Sequence, residues 1–230
     1  MGKLFDMDSP LMRFLNRMAD MIILNMLMLI CCIPIITVGA ACTAMHYVLL
    51  KMVRDEEGYL IKGFFKSFVQ NFKQATLIWV FMLLILGIFV GDWLIFSASA
   101  VTFPKALVIG VAAFGIIMLM VAVYVFPLLA RFDNSIKNTI RNAALLAVGN
   151  LPKTVLMIVI YAIPLAMAYF SAYSYIFIFM FGISLPAYGA AWLYSSIFRK
   201  FEPQVEQASD MDFSVDVEEW GEEEGNEKAE

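Results

Sequence analysis

The sequence predicts an all-α fold, a polytopic bundle of transmembrane helices, on three observations. Of the 230 residues, 62% are hydrophobic and 16% charged, against about 45–50% apolar and about 25% charged in ordinary globular domains. Their mean hydropathy is +0.80, and no water-soluble fold hides so much apolar surface. The apolar residues also fall in long runs, without the period-two alternation of a lipid-facing barrel, so backbone groups inside hydrocarbon must be satisfied within helices.

The elements follow in order. Ser9-Pro10 reads as an N-cap and first helical residue. Leu11, Phe14, Leu15 and Met18 then share one face and Arg13 and Arg17 another, the pattern of an interfacial helix entrance. The apolar run that follows holds Pro34 and Gly39, which divide it into two helices at roughly 20–33 and 38–53. As one helix it would measure about 50 Å against a hydrocarbon core of ~30 Å. A hairpin turning at Pro34 to Gly39 is therefore expected, with Thr37 helping to satisfy its backbone. No cleavable leader is apparent, because this run is too long for a signal sequence, and targeting is expected to proceed through the first helix.

Phe64, Phe65, Phe68 and Phe72 recur at helical spacing opposite Lys62, Lys66, Gln70 and Lys73, which predicts an amphipathic helix lying in the headgroup layer with its aromatic face down. Runs of spanning length follow at about 75–97, 107–130, 154–173 and 175–198. The total is six helices, or five if the first run is a single kinked span.

Charge orients the bundle. Segments 51–73, 131–153 and 199–200 are rich in Lys and Arg, whereas the links near Thr102 and Ser174 offer only Lys105. The basic segments are expected to face the cytoplasm. Six helices then place both termini inside with Lys3, Arg13 and Arg17, while five would strand those bases outside. Domain 1–201 is thus the transmembrane domain and 202–230 an acidic tail. The tail carries 12 of the 20 acidic residues and one base, Lys228, so the body keeps 15 basic against 8 acidic residues. Such a tail buries too little apolar surface to offset its ordering entropy and is expected to be disordered.

A weak internal repeat accords with six helices. Tyr47, Val48 and Arg54 recur in one constant register as Tyr124, Val125 and Arg131, and Ile61, Lys62 and Asn71 recur in a second, close to it, as Ile140, Arg141 and Asn150. Each half reads helix, basic amphipathic segment, helix, an arrangement known in several transport folds.

Chemistry-bearing residues are few. Intramembrane ionisable groups are functional candidates by default, and only His46, Asp20 and Asp92 lie within or near the spans. His46 is a candidate proton relay or solute contact, set against a neutral imidazole bonded to a neighbouring helix. Asp92 beside Trp93 reads as an interfacial carboxylate solvated by water or near Lys105, and Asp20 as a surface partner of Arg17. Arg54, Asp55, Glu56 and Glu57 form a charge cluster that either docks a cytoplasmic partner or ends a helix in water. Cys31, Cys32 and Cys42 have no disulfide or metal-ligand spacing. Pro127, Pro164, Pro186 and Gly189 are candidate kinks beside a cavity. No catalytic constellation, nucleotide loop, cofactor motif or metal set is present, so an enzyme is not expected. The basic amphipathic segments fit anionic lipid better than nucleic acid.

Pro10-Leu11-Met12-Arg13-Phe14, Leu24-Asn25, Cys31-Cys32-Ile33-Pro34, Thr37-Val38-Gly39-Ala40, Lys51 to Gly58, Phe64 to Phe68 and Asn71 to Ala75 together resemble the YesL-like family of bacterial membrane proteins. The specific part of the resemblance covers roughly the first third of the chain, and the acidic tail is not part of the pattern. It implies a multi-helix membrane protein, mostly of Gram-positive bacteria, of uncharacterised function and often near carbohydrate-uptake and carbohydrate-degrading systems. It supplies no catalytic residues. The expected function is a non-enzymatic accessory or regulatory component of the cell membrane, associated with carbohydrate uptake and engaging a transport or cytoplasmic protein, with a small-solute transporter as the alternative. A polar cavity at mid-membrane depth would favour transport, and a bundle packed tight throughout the accessory role.

Overall fold

Pro34 interrupts the first apolar run as its chemistry requires. In the structure, a computed structural model that describes residues 10–56, 58–98, 104–171 and 173–202, helix α1 spans Pro10–Cys31 and α2 spans Val38–Val53, with a single 3-10 turn at Ile35–Thr37 between them. The Thr37 hydroxyl lies 2.5 Å from the Cys31 carbonyl and 2.7 Å from that of Pro34. The Trp79 indole donates to the Ile35 carbonyl at 2.8 Å. The expected hairpin is present, and side chains bond the carbonyls of its turn, those of Cys31 and Ile35 among them.

Helix α3 spans Leu60–Ala98, α4 Lys105–Arg131, α5 Ile136–Gly149, α6 Leu151–Phe170, α7 Ser174–Phe181 and α8 Ser184–Phe198, and no strand occurs among the described residues. Ser9, Glu57, Lys3, the link at Thr102 and the acidic tail from Pro203 onward lie outside the described residues. The chain divides into compact units at 1–195 and 196–230, and the site described below belongs to the first.

Five helices, α1, α2, α3, α4 and α6, are long and apolar enough to cross a membrane; α7 and α8, bent by 52° at their junction, make a sixth if they form one span. The ambiguity of count therefore sits at Gly182–Ile183 and not at Pro34. Pro186 is the physical reason. It has no N–H to continue α7, its ring would meet the carbonyl four residues back, and it is accommodated in the first turn of a new helix.

The amphipathic segment differs from expectation. Residues 62–73 do not form a separate interfacial helix: they continue into the span as one helix of 39 residues, about 58 Å long at 1.5 Å per residue. Phe64, Ser67, Ala75 and Ile78 are buried along one stripe of α3, which packs along α2, so Phe64 contributes to a protein core. The exposed Phe65 and Phe72 lie to the side. In the second half the corresponding segment is a helix of its own, α5, because Pro152 at the start of α6 interrupts the ladder where α3 has Lys73. The halves otherwise correspond: α2 packs on α3 as α4 packs on α5 and α6. Asn71 and Asn150 each donate to the carbonyl four residues back, at 3.1 and 3.2 Å.

Helix α2 is the central element, touching α1, α3 and α4 and burying Gly39, Ala40, Ala41 and Ala44. Small residues let helix backbones approach closely, which drives association where lipid tails offer no hydrophobic gain. A Cβ on Gly39 would stand 2.5 Å from the Ala75 carbonyl oxygen and 2.6 Å from Cβ of Trp79, whereas one on Gly87 would meet nothing within 4 Å. Gly39→Ala is expected to destabilise the protein by about 1–3 kcal/mol, the usual cost of overpacking, and Gly87→Ala to leave it unchanged or slightly stabilised. Thermal unfolding of both variants in one detergent checks this difference.

Candidate functional site

The first cluster forms where α2 ends. The Asp55 N–H bonds to the Met52 carbonyl and the Glu56 N–H to that of Lys51, with Asp55 at φ 54°. This is a Schellman termination with aspartate in the left-handed position that glycine usually takes. The geometry turns the charges of the cluster in different directions. The Asp55 carboxylate pairs with Arg17 of α1, and Arg17 also donates to the Tyr188 hydroxyl of α8 at 2.8 Å. Arg54 points inward, its side chain 6% exposed and 3.9 Å from Glu56, and its Nε donates to the Ser195 hydroxyl at 3.2 Å. The expected pairing of Arg17 with Asp20 is thus replaced by one with Asp55, far along the chain, because the end of α2 lies beside α1.

His46 sits in the same α2, buried, with Nδ1 3.0 Å from the Tyr194 hydroxyl and the two rings edge to face. Their hydrogen bond joins α2 to α8 about two turns of α2 inward from Arg54. Asp92 stands apart near the far end of α3, half-exposed, and no ion pair joins it to Lys105 among the described residues. Cys31, Cys32 and Cys42 are free thiols. Arg54, Asp55, Glu56 and His46 therefore share the α2 side of one polar column, while Asp92 does not belong to it.

A residue of equal weight is legible in the sequence only as part of a resemblance. Asn25 of α1 is fully buried. Its Oδ1 accepts from the N–H groups of Ile183 and Ser184, both at 3.1 Å, and its Nδ2 donates to the Phe179 carbonyl at 2.7 Å. One amide side chain thus satisfies both sides of the break between α7 and α8. No local pattern marks an asparagine for this task, since its partners lie near the opposite end of the chain. The nearest signal is a polar residue inside an apolar run.

Beside the break is a cavity of about 160 Å³ lined by apolar residues, among them Pro164, Phe177, Gly182 and Pro186. Two of the expected kink prolines border it, and its walls offer a solute no charge. Among the described residues no group of three His, Cys, Asp or Glu side chains is placed to hold a metal ion.

Asn25→Leu keeps the volume and removes all three bonds, leaving the buried Ser184 N–H, the half-buried Ile183 N–H and the Phe179 carbonyl without Asn25 as partner. A loss of about 2–4 kcal/mol in folding stability is expected. Denaturant titration of the detergent-solubilised protein measures it; a loss below that of a lipid-facing Leu84→Ala control would show the break satisfied without Asn25.

The family described as "Protein of unknown function, DUF624" matches residues 21–93. That stretch runs from within α1 through α2 and most of α3. It includes Asn25, Gly39, His46, Arg54 and Asp55, while Tyr194 and Ser195 of α8, the partners of His46 and Arg54, lie beyond it. No curated protein and no solved structure matches the chain. Over residues 21–93 the chain is similar to a family whose function is uncharacterised.

Proposed function

We propose that the chain is a multi-pass protein of the bacterial cell membrane that acts by binding and not by catalysis, as an accessory or regulatory component associated with carbohydrate uptake. The observation that carries this reading is how the buried polar side chains are used. His46 is bonded to Tyr194, Asn25 holds the α7–α8 break, and Thr154 is shared among Tyr124 and the Ala147 and Asn150 carbonyls. Each joins helix to helix. Around them the alanines of α2, with Ala75, Ala187, Ala190 and Ala191, are fully buried, a packing that favours a static bundle over a solute path. The carbohydrate link rests on the resemblance in residues 10–75 alone.

A transporter is the second reading. A helix broken inside the apolar zone, as α7–α8 is, is how many transporters build a midplane site. In this chain the break is filled by Asn25, which favours the first reading. Purification in mild detergent with identification of co-purifying proteins tests the two: a stoichiometric transport subunit or cytoplasmic protein supports the accessory role. Solute uptake by proteoliposomes holding this chain alone would overturn it.

In the orientation we propose, six spans put both termini and the basic segments in the cytoplasm and the α1–α2 turn outside. Single cysteines placed by Lys3→Cys, Ile36→Cys and Lys137→Cys, with Cys31, Cys32 and Cys42 replaced by Ala, report this on intact cells. Ile36 is chosen because it is exposed and leaves Thr37 in place. An impermeant thiol reagent is expected to label position 36 and to spare 3 and 137; labelling at 3 with 36 silent would invert the arrangement.

A further inference from the structure

The basic ends of α2 and α3 enclose a cleft that shares only Glu56 with the column of Arg17, Arg54 and His46. It measures about 220 Å³ and opens to the surface, which leaves room for a small polar headgroup. Three lysines line it, Lys51 from α2 and Lys62 and Lys66 from α3, together with Asp20 of α1 and Glu56. Two of the lysines are positioned by aromatic rings: the Lys51 ammonium lies 5.2 Å from the Tyr47 ring centre and that of Lys62 4.9 Å from the Tyr59 ring. Both tyrosines also line the cleft.

Charge and shape together specify the ligand. Among the described residues three ammonium groups face two carboxylates, one of which, Glu56, also lies 3.9 Å from Arg54, so the cleft keeps a net positive charge of at least one that an anionic phosphoester neutralises. The carboxylates are acceptors only, so they suit a ligand that also carries hydroxyl donors. Next to Lys62 and Lys66 on the same helix, Ile61 and Phe65 form an exposed apolar strip, a surface on which hydrocarbon chains can lie while the polar group enters the cleft. An amphiphile satisfies all three features; a free phosphate satisfies one.

We propose that this cleft is a binding site for a phospholipid with a hydroxylated phosphodiester headgroup, of the phosphatidylglycerol class. Lys51, Lys62 and Lys66 hold the phosphate, and Asp20 and Glu56 accept from the glycerol hydroxyls. The inference rests on the membrane reading given above, although not on which side of the membrane the cleft faces.

The full chain in detergent, mixed with equal amounts of phosphatidylglycerol and phosphatidylcholine, tests it by native mass spectrometry of retained lipid. The expected preference is about fivefold for phosphatidylglycerol, the effect of one uncompensated cation, and it is expected to vanish in K51Q/K62Q/K66Q. D20N provides a second arm that keeps all three cations: it is expected to bind phosphatidylglycerol still but to lose preference for it over phosphatidic acid. Equal retention of both lipids by the wild type, or an undiminished preference in the triple variant, overturns the site. Displacement of the lipid by an equal concentration of glycerol phosphate would assign the cleft to a soluble phosphoester and overturn the lipid. A chain that stays in carbonate-washed membranes yet shows no lipid preference refutes this inference and leaves the membrane reading standing.

Discussion

Inside hydrocarbon every peptide N–H and C=O must find a partner in the protein, because an unsatisfied group costs several kcal/mol where there is no water. A continuous helix meets this requirement by itself, but this chain is broken repeatedly, at Cys31–Val38, at Gly149–Leu151, at Phe170–Ser174 and at Phe181–Ser184. At each break a side chain completes the bonding: Thr37 and Trp79 at the first, Asn150 and Thr154 at the second, the Ser174 hydroxyl at 2.8 Å from the Met167 carbonyl at the third, and Asn25 at the fourth. Polar side chains thus recur where backbone continuity fails. The rest of the structure depends most on the fourth, since the α7–α8 break lies within the apolar zone and could not be accommodated there without these bonds.

The same requirement explains the tertiary arrangement. Asn25 can serve the α7–α8 break only if α1 lies against α7, which it does, and Trp79 can reach the Ile35 carbonyl only if α3 lies against the α1–α2 turn. Gly39 and Ala75 bring α2 and α3 close enough for that reach. At the opposite end the Schellman termination of α2 turns Asp55 toward Arg17 while Arg54 stays inside. The Arg17–Asp55 pair is largely exposed, with side chains 42% and 75% accessible, so it adds little stability and mainly fixes position. The buried Arg54 carries more weight, because truncating a buried hydrogen-bonded charge leaves its polar neighbours unpaired.

Much of the architecture is legible in the sequence, because hydropathy over about 20 residues and the position of Pro34 are both local signals. The two-helix reading of the first run rests on a length argument, and the turn with Thr37 is where that argument places it. A separate amphipathic helix at 62–73 is the wrong reading because aromatic periodicity is the same whether a stripe faces lipid or another helix; only the close approach of α2 decides. The break at Gly182 escapes notice because the hydropathy of 175–198 is continuous across it, and Pro186 alone reads as a kink. Of the site residues, the burial of His46 is legible from its position in an apolar helix, but Tyr194 as its partner is not, and neither is the role of Asn25. Those contacts join the two ends of the chain, and a single sequence carries no signal of such pairing.

The central claim is that Asn25 closes the α7–α8 break in place of water, and hydrogen–deuterium exchange of the protein in lipid nanodiscs tests it most directly. Peptides covering residues 180–185 report on the Ile183 and Ser184 amides that Asn25 accepts from. The account predicts that these amides exchange as slowly as those of the central helix α2, and that Asn25→Leu accelerates them while α2 stays protected. Fast exchange in the wild type, or slow exchange that survives Asn25→Leu, would contradict it.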